Sequence, residues 1–254
     1  MEFNLIEQDG FKYIDEGKGE PLLLLHGLFG ALSNWKDVLV HFSKSHRVLI
    51  PLMPIFEMNI LKLSVDGLAN FIDDFIEYKK LRRINLLGNS LGGHVALVYL
   101  KKHPEKIRSL LLTGSSGLYE NALGESYPRK SDKIYLKGRI GVTFYDPQMA
   151  TDELVDEVYD SLQDRMQLLR LIRMAKSAIR HNMKKDLPQF TLPTCLIWGK
   201  QDIITPPNVA EEFHQLMINS ELHILDKCGH APMMERPKEF NEIAEKFFQK
   251  LFNI

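Results

Sequence analysis

The chain is poor in cysteine. Its 254 residues hold two, Cys195 and Cys228, far apart and in no CxxC pair. That excludes a disulfide scaffold, and both residues read as buried thiols of a reducing compartment. An excess of charge is missing as well: 32 Lys and Arg stand against 33 Asp and Glu, a formal net charge of -1 with no long block of one sign. Nothing in that balance favours nucleic acid or an anionic membrane surface as a partner. Long apolar runs are absent too. The longest, Pro21 to Leu32, is broken by His26 and is too short to span a bilayer. The opening MEFNLIEQDG has no basic stretch followed by an apolar one, so no secretion signal is expected and a cytoplasmic location is the default. No internal repeat or low-complexity segment is visible.

What is present is the mix of an ordinary globular protein, 44% hydrophobic and 26% charged. The length suits one core with an inserted subdomain. Short apolar runs bounded by turn residues, PLLLLHG, HRVLIPL, INLLGN and IRSLLLTG, read as buried strands. Between the second and third, Leu68, Phe71, Ile72, Phe75 and Ile76 recur at helical spacing. A further helix starts after Leu91 and ends near His103-Pro104, because proline disfavours helix just before it. This alternation predicts an α/β fold with a mostly parallel sheet and helices on both faces. The opening NLIEQDGFKYIDEG differs: two extended pieces around Asp9-Gly10 signal a hairpin.

From Ser116 to Leu187 the buried-strand runs stop. TDELVDEVYDSLQDRMQLLRLIRMAKSAIR reads as helical instead, with Leu154, Val158, Leu162, Met166 and Leu169 at helical spacing. Strands resume at TCLIWG and ELHIL, with helices from Pro206 to Met217 and from Pro237 to Leu251. The predicted division is therefore a core of residues 1–115 and 188–254 around a helical insertion, 116–187.

Gly88-Asn89-Ser90-Leu91-Gly92 stands where a strand hands over to a helix, and it fits G-x-S-x-G. Small residues allow a sharp bend there, which holds the serine hydroxyl beyond the strand's carboxyl end. The helix N-terminus beside it offers unpaired N–H groups to a developing negative charge. Gly88 to Gly93 also spaces as G-x-x-x-x-G, yet His94 and Val95 follow where a phosphate loop needs Lys and then Ser or Thr. Nucleotide binding is excluded.

A serine hydroxyl needs a base to take its proton. Among nine histidines, His230 stands out, in a loop shaped by Gly229 and Pro232 at a strand's carboxyl end. His94 lies on the helix descending from Ser90, and His223 lies within a strand. His41, His46, His103, His181 and His214 sit in polar contexts that read as exposed. The base in turn needs a carboxylate to fix its tautomer. Asp202, in GKQDIITPP, follows a strand on the carboxyl side; Asp226 and Asp146 are the alternatives. HGLFG leaves its strand so that the N–H of Leu28, or of Phe29, can face the nucleophile with that of Leu91 as partner, an oxyanion hole. His26 reads as a brace for that loop.

Taken together, HGLFG, GNSLGG, WGKQDIITP and CGHAPMMERP resemble, in order and over nearly the whole chain, the α/β-hydrolase superfamily in its esterase, lipase and epoxide-hydrolase-like branch. The resemblance implies an eight-stranded sheet with a helical cap inserted after the sixth strand, and hydrolysis without cofactor or metal. It also favours Asp202, because Ser90, Asp202, His230 follows the family's chain order. Ser90 argues against the dehalogenases and epoxide hydrolases of the branch, which use Asp. Relatives that cut carbon–carbon bonds often carry Trp after the histidine, where this chain has Ala231, and an assisting cap arginine, for which Arg173 is a candidate. MPIFEMN replaces the Asp-x-x-Gly-x-Gly turn of many relatives. The expectation is a serine hydrolase of a small or medium apolar carboxylic ester. Phe29, Phe144 and Tyr145, with Tyr127, Tyr135 and Met149, are candidate pocket residues. An imidazole base with the ordinary pKa of about 6.5 predicts activity at neutral or higher pH. Rival readings are hydrolysis of a carbon–carbon bond in a dienone acid and a slowly turning ligand receptor.

Overall fold

The computed structural model describes residues 4–29, 32–119 and 131–252. Eight strands form one sheet in the order β1-β2-β4-β3-β5-β6-β7-β8. The hairpin of β1 (Ile6–Gln8) and β2 (Phe11–Glu16) turns at Asp9 and Gly10, with φ of 51° and 83°. Two successive left-handed residues match the twist of antiparallel strands, which is why Asp-Gly stands there. β2 runs antiparallel to β4 (His46–Pro51), and every later pairing is parallel: β3 (Glu20–Leu25), β5 (Ile84–Asn89), β6 (Ile107–Thr113), β7 (Thr194–Gly199) and β8 (Ser220–Leu225).

Side chains alternate between two apolar layers, as a strand's two-residue period demands. Leu23, Leu25, Leu86, Leu110 and Leu112 face one layer, filled by α2 (Val65–Tyr78), α3 (Leu91–Lys102) and α7 (Pro207–Leu216). Leu22, Leu24, Leu87, Leu111 and Ile197 face the other, filled by α1 (Lys36–Phe42) and α9 (Pro237–Phe252). Strands covered on both faces read as near-continuous apolar runs for this reason. Cys195 and Cys228 are buried and unpaired.

Between β6 and β7 lie α4 (Lys133–Gly141), α5 (Asp152–Gln163) and α6 (Arg165–Arg180). The segment returns where it left: the Met183 N–H donates to the Gly117 carbonyl at 2.8 Å, and the Asn182 side chain to that of Leu118 at 2.8 Å. The helical stripe of the sequence is broken at Asp164, whose backbone is extended and whose carboxylate caps α6 through the Gln167 N–H at 2.8 Å. Val158 and Leu162 are buried, but beyond the break Met166 and Leu169 face solvent. A capping aspartate between two amphipathic segments resets the helical phase. A short helix, α8 (Pro232–Glu235), was not expected and follows the His230 loop directly. His46 is also a correction: it is buried, with its ring packed between Phe42 and Phe248. Among the described residues no helix is long and apolar enough to cross a membrane.

Candidate active site

Ser90 sits between the end of β5 and the start of α3 with φ 54° and ψ -120°. A non-glycine residue in that region costs on the order of 1–3 kcal/mol, so its surroundings must hold it there. Its N–H donates to the Thr113 carbonyl at 3.1 Å, and its carbonyl accepts from the N–H groups of Ser116 at 3.1 Å and His94 at 3.2 Å. The flanking glycines serve packing. A Cβ on Gly92 would lie 2.1 Å from the Leu25 carbonyl oxygen, and one on Gly88 would lie 2.6 Å from the Gly92 backbone. The Ser90 hydroxyl does not cap the helix that follows. It is left available for chemistry.

His230 and Asp202 are brought together from the loops after β8 and β7. Nδ1 of His230 lies 2.9 Å from Oδ2 of Asp202, whose side chain is fully buried. Oδ1 of Asp202 accepts the N–H groups of Ile204 at 2.9 Å and Thr205 at 3.0 Å, and Oδ2 also accepts the Thr205 hydroxyl at 2.9 Å. A carboxylate fixed by that many donors is an acceptor toward the ring, so Nδ1 carries the proton and Nε2 presents a lone pair. Thr205 is a participant that sequence reasoning missed. The D-x-x-T spacing was the available signal, since a short polar side chain can bond the backbone two or three residues on.

Asn89 joins the two halves. Its side-chain amide donates to the carbonyls of Thr113 at 3.0 Å and His230 at 3.2 Å. Gly114, next to Thr113, packs on the histidine so tightly that a Cβ would meet its Nδ1 at 3.0 Å. Ser90 and His230 therefore share Thr113, Gly114 and Asn89 as supports. On the opposite side, a Cβ on Gly27 would stand 3.3 Å from that of Ser90, which sets the Gly27-Leu28-Phe29 turn beside the serine. The first N–H groups of α3, from Leu91 onward, have no partner within their own helix. His26 braces this turn as expected: Nε2 accepts the Met53 N–H at 2.9 Å, and Nδ1 donates to the Gly27 carbonyl at 2.8 Å. Burial holds its pKa below the usual value, consistent with that neutral tautomer. The same bond anchors the MPIFEMN loop.

The sequence pattern of the alpha/beta hydrolase fold matches residues 20–140 and 141–237. The chain belongs to the alpha/beta hydrolase family. A crystal structure of MGS-MChE2, an alpha/beta hydrolase enzyme from a sediment metagenome of the Mar Chica lagoon, is 42% identical with a TM-score of 0.81, covering 97% of this chain and 98% of that one. The bovine (Bos taurus) monoacylglycerol lipase ABHD6 is 27% identical over 97% of this chain and 82% of its own length. A 2-hydroxy-6-oxononadienedioate/2-hydroxy-6-oxononatrienedioate hydrolase of Pseudomonas sp is 26% identical over 93% of this chain and 90% of its own. This chain is an α/β-fold serine hydrolase.

In this hydrolase the remaining sequence candidates fall as follows. Asp226 is exposed and bound to Gln201 and Lys200, and Asp146 caps a turn through the Gln148 N–H; neither meets His230. Phe29 packs under the inserted helices, and Phe144 is half-buried. Tyr145 has an exposed ring, although its backbone adjoins the His230 loop. Tyr135 and Met149 are half-buried, and Tyr127 lies outside the described residues. Arg173 is turned to the backbone: its guanidinium donates to the carbonyls of Leu63 at 3.1 Å and Leu61 at 3.0 Å. Among the described residues Cys195, Glu221 and His223 have ligand-type atoms within 4.8 Å of one another, on β7 and β8. Burial pushes the Cys195 thiol pKa well up and Lys250 already pairs with Glu221, so the group does not suit a metal ion.

Glu235 is a second residue that the sequence did not single out. From α8 its carboxylate accepts the N–H groups of Gly229 at 3.0 Å, Ala231 at 3.1 Å and Tyr145 at 2.7 Å. The His230 N–H meanwhile donates to the Thr143 carbonyl at 2.8 Å. The histidine loop is thus stitched to the inserted segment on both sides. Glu235→Gln offers one acceptor oxygen where the hydrolase has two, and turns an amide donor toward N–H groups. A loss of about 3 kcal/mol follows, or roughly 6–12 °C in thermal midpoint, with kcat falling more than KM changes. Calorimetry and steady-state kinetics test this; an unchanged midpoint and rate would remove the clamp.

His94, fully buried on α3, meets Nδ1 of His181 through Nε2 at 3.1 Å. Burial drives its pKa down to about 3, with the neighbouring imidazole adding to the effect. The unfolded chain takes up this proton near pH 6.5 while the folded chain refuses it, so stability is complete above that pH and falls as pH drops. A single such group removes about 1.4 kcal/mol for each pH unit below roughly 6. In denaturant titrations between pH 6 and 4, His94→Gln is expected to flatten the slope; an unaltered slope would assign acid sensitivity elsewhere.

Proposed function

We propose that this hydrolase cleaves carboxylic esters through an acyl-enzyme, with Ser90 as nucleophile, His230 as base and then acid, and Asp202 as its orienting carboxylate. The observation that carries the reading is the Asp202–His230 hydrogen bond, made by a histidine whose loop Asn89 ties to the strand leading into Ser90. Nε2 of His230 takes the hydroxyl proton as Ser90 Oγ attacks the acyl carbon. The N–H groups of Leu28 and Leu91, with Phe29 as the alternative to Leu28, hold the oxyanion. His230 passes the proton to the departing alkoxide, and a water deprotonated by the same nitrogen then releases the acid. Charge in each step moves between groups already fixed in place, which is where such sites gain most of their rate.

An apolar acyl or aryl group of small to medium size suits the surroundings. Leu28, Phe29 and Phe56 pack partly buried against Leu136, Val155, Leu162 and Leu171 of the inserted helices. The carbon–carbon reading has less support, because Arg173 is engaged with backbone carbonyls and Ala231 follows the histidine.

A serine-directed fluorophosphonate, a panel of nitrophenyl esters and thioesters of rising acyl length, and a dienone acid test the proposal. Labelling lost in Ser90→Ala, with a burst of nitrophenol from short esters, is the expected result. Failure to label together with inertness across the panel would overturn it. Turnover of the dienone acid alone would favour the carbon–carbon reading, and tight ligand binding without product would favour a receptor.

A further inference from the structure

The net charge is near zero, but it is not evenly placed. From Arg165 to Arg180, α6 carries five cationic side chains, Arg165, Arg170, Arg173, Lys176 and Arg180, and no acidic one. Its buried stripe is Leu171, Met174, Ala175 and Ala178. Four more apolar residues, Met166, Leu169, Ile172 and Ile179, point outward between the cations, where globular packing would call for polar ones. Leu61, 79% exposed, continues the patch on the neighbouring loop. Between loop and helix runs a groove of about 570 Å³ lined by Leu63, Leu169, Ile172, Arg173, Lys176 and Arg180, apolar at its walls and cationic at its rim.

We propose that the outer face of α6, with Leu61, docks this protein on a bilayer surface containing anionic lipid, the groove receiving a phosphodiester headgroup. Charge complementarity selects this occupant. Long cationic stems reach headgroup phosphates while exposed Leu and Ile enter the acyl boundary. A second copy seated face to face would set the exposed Arg165, Arg173, Lys176 and Arg180 against the same residues of its partner, a repulsive contact. The face also lacks the aromatic anchors that dominate protein–protein contacts, since α6 contains no Phe, Tyr or Trp. The opposite side of the same helix gives the docking a purpose. Leu171 packs in the cluster that covers Leu28 and Phe29, so one helix separates the lipid face from the turn beside Ser90. Docking through α6 does not depend on which bond Ser90 is proposed to cleave.

Flotation of the full chain with vesicles of phosphatidylcholine alone, and of equal phosphatidylcholine and phosphatidylglycerol, tests it. Binding is expected to the anionic vesicles only, and to weaken as salt is raised. One surface cation is worth about fivefold in partition, so the double variant Lys176→Glu, Arg180→Glu should lower binding by at least roughly tenfold. Leu169→Ser with Ile179→Ser should lower it as well. Both double variants should hydrolyse a water-soluble ester at the unaltered rate, which separates failure of docking from failure of the active site. Equal binding to neutral vesicles, or no binding to either, would overturn the proposal. So would self-association lost in the charge variant, or retention by an acidic protein without vesicle binding.

Discussion

Ser90→Ala is expected to lower kcat/KM for a soluble ester by roughly 10^4-fold or more, the loss seen when a nucleophile working with its base is removed. The fold should not suffer. The hydroxyl makes no cap bond to α3, and alanine meets the same backbone strain at φ 54°. Unfolding free energies of the two proteins should agree to within about 0.5 kcal/mol. Ser90→Gly sharpens the test, because glycine adopts positive φ at little cost. That variant should be equally inactive yet more stable, by about 1 kcal/mol. Inactivity with raised stability would mean that the chain tolerates a destabilised turn in order to present a hydroxyl. A Ser90→Ala protein with most of its esterase activity would refute the proposed nucleophile outright. A hydroxyl elsewhere near His230, such as that of Thr205, would then have to be considered.

The parts of this site that were legible in the sequence are those written in local chemistry. β5 and β7 are runs of Leu, Ile and Trp that end at glycine or asparagine, because both faces of the sheet are covered and the turn begins there. Ser90 and Asp202 each follow such a run, and His230 follows β8, a half-buried strand that ends at Leu225, so their position at the sheet's carboxyl end could be read one residue at a time. What could not be read was contact between distant segments. Asn89 lies inside the motif that drew attention to Ser90, but its bond to the His230 carbonyl spans 141 residues. Glu235, at the end of α8, carries no local signal of its role. Its three N–H donors come from the histidine loop and from Tyr145, 90 residues earlier. His46 misled for a similar reason. Beside Ser45 it reads as polar, yet α9 brings Phe248 onto its ring. The α5–α6 break is a different failure: Asp164 permits helical spacing to be traced through it, and its capping role depends on a backbone angle that periodicity does not report. With a new helical phase starting at Asp164, Leu169 and Ile172 fall on the outer face of α6.

Asp202→Asn is the second large effect, and its size depends on which way the amide turns. One carboxylate oxygen of Asp202 accepts two backbone N–H groups, from Ile204 and Thr205, while the other faces His230 and the Thr205 hydroxyl. The asparagine oxygen will stay with the backbone pair, because reversing the amide would set NH2 against two buried donors at a cost of about 1–3 kcal/mol for each group left unsatisfied. The NH2 therefore points at Nδ1 of His230. Nδ1 must then accept, the proton moves to Nε2, and the ring presents a donor to Ser90 where the reaction needs a lone pair. A fall in kcat of about 10^4-fold is expected, with KM little changed, since substrate contacts are untouched. The pair also lets the measurement discriminate. Imidazole nitrogen chemical shifts should report the exchanged tautomer in Asp202→Asn at neutral pH, whereas simple damage to the loop would leave the tautomer mixed. If the variant keeps its rate to within tenfold, the orienting carboxylate is not residue 202, and Asp226, now held by Lys200 and Gln201, would have to release both and swing toward the ring to replace it.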